Sequence, residues 1–179
     1  HRRQELKELL KLDFVSDKIV YDDFMRSLEK GGEFYEYLKH GEVIKVIDDT
    51  LFVHGGISNE NIGKIPGKVT RYKNVQNWVD EMNKWAHSEI LNWGEDYRRG
   101  NELLEYHAPR ITGKNTKESV FYHRYSDTNG SPKMPSRSLI KKLRNSKIKR
   151  AVSAHTPIGE VATSVKTHDF EIIMSDVTS

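Results

Sequence analysis

The chain has 179 residues, enough for one domain or for part of a larger one. Its 29 Lys and Arg against 26 Asp and Glu leave a net charge of +3, too small to argue for a nucleic-acid partner. No cysteine is present, which excludes thiolate nucleophiles, Cys-based zinc sites and disulfides, and no apolar run reaches the length of a membrane span.

A mean hydropathy of −0.72 is polar for a globular chain, but three Trp, eight Tyr and six Phe supply core material. The chain opens on His1-Arg2-Arg3-Gln4, which leads into a charged helix and not into a signal peptide. Residues 2–12 set Leu6, Leu9 and Leu10 at helical spacing. A second helix is expected from about Asp22-Asp23, through Phe24 and Leu28 towards Tyr37 and Leu38, broken at Gly31-Gly32 and ended at His40-Gly41. The pattern then changes. Val43 to Ile47 and Leu51 to Val53, around Asp48-Asp49, read as a hairpin of buried strands.

Residues 58–73 read as a loop and 74–93 as a helix with a broad apolar face. The stretch 94–117 is mixed, with Pro109 and Gly113 as breakers. Val120-Phe121-Tyr122 reads as a short strand and 127–138 as a polar loop. A helix begins near Leu139 and carries a basic cluster through Arg150, best read as a solvated face because no aromatic residues interleave it. Ala151 to Ala154, Val161 to Val165 and Phe170 to Met174 read as strands. The start at His1, and residues 172–179 that read as a strand just finishing, lead us to expect part of a longer domain.

Two histidines carry the chemistry. Val53-His54-Gly55-Gly56 delivers an imidazole from a strand straight into two glycines, which let the backbone turn sharply and approach a ligand. Ala154-His155-Thr156-Pro157 repeats that grammar. Strand ends are where α/β folds keep their sites, and neutral imidazole suits Zn, Mn or Fe. Taken alone, each is more often a turn or core histidine. Arg124, in Tyr122-His123-Arg124-Tyr125, offers a planar fork matched to phosphate oxygens, with a surface ion pair as the ordinary alternative. His87, His107, His123 and His168 show no metal-ligand spacing, and Asp48-Asp49 is turn chemistry.

In order, these features resemble one family. Leu51 to Ser58 looks like the "HGG" motif of calcineurin-like metallophosphoesterases, and Arg150 to Pro157 like their late "GHT" motif, with Ala154 where the family has Gly. Asn83-Lys84-Trp85-Ala86, Val120 to Arg124 and Ser175-Asp176-Val177 are similar to segments of the Shewanella-like protein phosphatases, in the phosphoprotein-phosphatase branch. The resemblance covers roughly residues 42–179.

It implies an α/β fold, part of a β-sandwich flanked by helices; residues 1–179 are expected to form a single domain, the C-terminal portion of such a phosphoesterase domain, with the helical stretch read at 1–41 as its lead-in and a helical insertion at about 74–117. It also implies two divalent metals (Mn, Fe or Zn), with His54 and His155 as ligands of the same metal and Arg124 on the substrate phosphate. The implied substrate is a phosphoprotein, or alternatively a dinucleoside polyphosphate. The family's GDxHG, GDxxDRG and GNHE motifs, which supply the other ligands, are not in these residues. A non-catalytic interaction module is the competing class.

Overall fold

In the computed structural model, residues 1–96, 100–111 and 113–177 are described. Residues 97–99 and 112 of the mixed stretch, and 178–179 of the closing segment, lie outside them. Helix α1 (Arg2–Leu10) buries Leu6 but leaves Leu9 and Leu10 66% and 49% exposed, so its apolar stripe is only partly used. Helix α2 (Asp17–Leu28) starts five residues before the expected Asp22-Asp23. Its N-cap is Ser16, whose hydroxyl accepts from the Ile19 N–H, with Asp17 in the first turn. Gly31-Gly32 separates it from α3 (Glu33–Lys39) as expected.

Strands β1 (Ile44–Ile47) and β2 (Thr50–Val53) form the expected antiparallel hairpin, and Asp48 takes a left-handed φ of 53° in the turn. Helix α4 (Val75–Glu95) is capped by Asn74 and buries Val75, Trp78, Val79, Met82, Trp85 and Ala86 at helical spacing. Trp78 is fully buried and its indole N–H donates to the Lys64 carbonyl at 2.8 Å. Helix α5 (Asn101–His107) and a single 3₁₀ turn at Thr116–Glu118 follow.

Val120 to Tyr122 is a turn and not a strand. Val120 is buried, but its carbonyl accepts from the N–H groups of Gly55 and Gly56, so it pairs with a distant loop and not with the sheet. Helix α6 (Arg137–Asn145) buries Leu139 and Leu143 and exposes Lys141 and Lys142, a solvated basic face as expected. Arg150, read as the end of that cluster, belongs to β3 (Arg150–Ser153) and donates to Glu171 at 2.8 Å. Strands β4 (Thr163–Lys166) and β5 (Glu171–Met174) close the chain.

The five strands make one open mixed sheet in the order β1-β2-β3-β5-β4, with helices against it. Strands β2, β3 and β5 are parallel, and β1 and β4 pair antiparallel at the edges. Parallel strands bring their C-terminal ends to one edge of the sheet, and His54 and His155 leave β2 and β3 there. No helix among the described residues is long and apolar enough to cross a membrane.

Asn83 ties α4 to the sheet. Its Oδ1 accepts from the N–H groups of Val43 at 2.9 Å and Ile44 at 3.2 Å, and its Nδ2 donates to the Ile44 carbonyl at 2.8 Å. The side-chain amide thus acts as one more peptide group at the edge of β1. Asn83→Asp keeps the shape but sets a carboxylate oxygen against the Ile44 carbonyl. Chemical denaturation should show a loss of about 2 kcal/mol, and an unchanged midpoint would remove Asn83 from this role.

Candidate functional site

The site begins with the docking of the Gly55-Gly56 turn. The N–H groups of Gly55 and Gly56 donate to the Val120 carbonyl at 2.9 and 3.0 Å, and the Ile57 N–H donates to the Tyr125 hydroxyl at 2.7 Å. A Cβ on Gly55 would lie 2.5 Å from the backbone C and O of Phe121. The first glycine is therefore required by the close approach of another main chain. The same contact carries Tyr122 and Arg124 to the histidines.

His54 and His155 come together. The Ala154 N–H donates to the His54 carbonyl at 2.8 Å, one residue beyond the ladder that pairs Val53 with Ser153. The two rings lie 5.1 Å apart between centroids, tilted by 58°. The Tyr122 ring packs on the second of these imidazoles, its centroid 4.8 Å from that of His155. His54 is exposed and His155 half-buried.

His155 carries three unusual features. Its φ is 59°, a left-handed conformation that costs a β-carbon residue energy. Its Nε2 is buried and has no hydrogen-bond partner among the described residues, nor has the Thr156 hydroxyl. Burial, then the positive charge of Arg124 and the neighbouring His54, hold its pKa below the ordinary histidine value, with Asp176 opposing them. The ring is therefore held neutral, the form that offers a lone pair to a metal. Asp176 follows β5, the third parallel strand ending at this edge.

An unpartnered buried ring nitrogen beside a second imidazole fits a metal held in part by these residues. Among the described residues, however, no group of three or more His, Asp or Glu side chains is arranged to hold an ion. Two histidines make half a ligand set.

Arg124 is exposed and its guanidinium lies 5.8 Å from the centroid of the Tyr122 ring. Arg110 lies at the same distance from the same ring. Arg110 has no motif around it, only the Pro109 and Gly113 breakers, and nothing in the sequence alone could single it out. His107 packs on Phe121, and His168 pairs with Asp169 at the surface, so neither joins the pair. His123 packs edge-on to Tyr125 and beside Gly56.

Burial lowers the pKa of His123. The folded chain thus holds fewer protons than the unfolded chain below the ordinary histidine pKa of about 6.5. The stability this residue supports is present above that pH and is lost as pH falls below it. Thermal melts should show a smaller acid-induced loss between about pH 7 and 5 in His123→Gln than in wild type; identical slopes would exclude His123 as a contributor.

No known family model matches this chain, and neither a characterised protein nor a solved structure matches it.

Proposed function

We propose that this chain supplies part of a metal-dependent phosphoesterase site that hydrolyses phosphomonoesters of protein serine and threonine. His54 and His155 are two ligands of one metal ion and Arg124 binds the substrate phosphate. One observation carries the reading: two histidines far apart in sequence, each at the end of a parallel strand, bring their rings to 5.1 Å with Arg124 held nearby on Tyr122.

His155 presents a neutral ring with an uncommitted Nε2. Arg124 can fork onto two phosphate oxygens while its face rests on Tyr122. A divalent metal pair, when bound, supplies a water of lowered pKa and Lewis acidity toward the phosphate. The remaining ligands would come from sequence outside these residues, and the five-stranded sheet would be one layer of the β-sandwich that such a site requires.

The test is metal content and turnover in the complete polypeptide. His54→Ala and His155→Ala should each lower bound Mn, Fe or Zn and reduce phosphopeptide hydrolysis by about 100-fold or more. Undiminished turnover in both variants would refute the assignment. Diadenosine tetraphosphate, run beside the phosphopeptide, checks the substrate: faster cleavage of the dinucleotide would replace the protein-phosphatase reading. These residues alone should bind a single Zn²⁺ weakly, since tight sites use about four protein ligands.

A further inference from the structure

A cavity of about 540 Å³ opens beside Tyr122 and Arg124. Tyr122 is also the ring that packs on His155, so one side chain joins the cavity wall to the histidine pair. Four cations line the cavity, Arg110, Lys117, Arg124 and Lys133, against one acid, Glu60. Over the whole chain basic and acidic residues are nearly balanced, 29 to 26, so four to one is a local departure. None of the four forms an ion pair among the described residues. Acids nearby in sequence are already committed: Glu105 to Lys114 and Glu118 to Lys64. Two of the cations, Arg110 and Arg124, each lie 5.8 Å from the centroid of the Tyr122 ring, so two like charges gather at one side chain of the cavity wall.

Like charges gathered around a concave space favour an anionic occupant. We infer that this cavity is a second anion subsite, which takes a further phosphate or carboxylate of a substrate whose scissile phosphate is presented to Arg124 and the histidines. That the occupant is part of a substrate rests on the phosphoesterase reading; that the cavity binds anions does not. Arg124 lines the cavity and its charge also acts on His155, so it would serve both groups. Lys117 and Lys133 would read the second group, so substrates with two anionic groups close together would be preferred to simple monoesters.

The experiment is calorimetric titration of the chain in metal-free buffer at low salt, with inorganic tripolyphosphate, orthophosphate and an aspartate-rich peptide as probes. Tripolyphosphate or the acidic peptide should bind at least about tenfold more tightly than orthophosphate. Whichever of the two binds more tightly identifies the second group as phosphate or carboxylate. The double variant Lys117→Glu/Lys133→Glu should lose this preference. The double variant Lys141→Glu/Lys142→Glu, of equal charge but on the solvated face of α6, should keep it. His54→Ala should also keep it, which separates this subsite from the metal assignment. The inference is overturned if neither probe is preferred to orthophosphate, if both lysine pairs cause the same loss, or if His54→Ala abolishes binding.

Discussion

Gly55→Ala should destabilise the protein by about 3 kcal/mol, near the upper end for adding one methyl group to a packed interior. The added carbon would sit 2.5 Å from the carbon and oxygen of the Phe121 peptide and 2.7 Å from the Val120 oxygen. All three are main-chain atoms, so no rotamer change can clear the space. The contact could open only by lengthening the hydrogen bonds that Gly55 and Gly56 donate to Val120. Gly130→Ala is the comparison. Gly130 has a φ of 83° and nothing within 4 Å of the added carbon, so its cost is backbone strain alone, about 1 kcal/mol. Urea denaturation of both variants measures the difference. If Gly55→Ala costs no more than Gly130→Ala, the turn is not clamped against residues 120–121. A clamped turn also means that Gly55→Ala should disturb Tyr122 and Arg124, which the same contact carries.

That clamp bears on what the sequence could disclose. Two strand-end histidines were legible because each follows an apolar run and enters a turn, and parallel neighbours then force both to one edge. The hairpin and the closing strands were legible from β-branched runs. The residues joined by long-range main-chain contacts were not. Val120 to Tyr122 has the composition of a strand, but three apolar residues carry no period, and their partner is a glycine turn far away in the chain. Asn83 stood out in the sequence only as part of a resemblance; its three hydrogen bonds to the edge of β1 give it a physical role in the fold. The expected start at Asp22-Asp23 falls inside α2, because that pair also has first-turn chemistry and Ser16 with Asp17 has more of it. Arg110 is brought to Tyr122 by the path of a loop whose sequence gives no sign of it.

His155→Gly should stabilise the metal-free protein while destroying its response to metal. A left-handed conformation costs a residue with a β-carbon roughly 1–2 kcal/mol, and a buried polar atom without a partner about 1–3 kcal/mol. His155 bears both, with φ at 59° and Nε2 unpartnered. Glycine removes both, at an entropic cost of roughly 0.5–1 kcal/mol and with loss of the ring contacts to His54 and Tyr122. The balance favours the variant by about 1 kcal/mol, whereas deleting a comfortable half-buried ring would cost stability. Added Zn²⁺ reverses the order: wild type gains by mass action because the ion binds only the folded chain, and the variant, with one imidazole left, gains little. Thermal melts with and without Zn²⁺ measure both effects. A variant that is less stable than wild type without metal would mean that the His155 ring is held for packing. A variant that gains as much as wild type from Zn²⁺ would mean that the ion sits elsewhere. The expected crossing of the two curves is what distinguishes a strained ligand from a structural histidine at the end of β3.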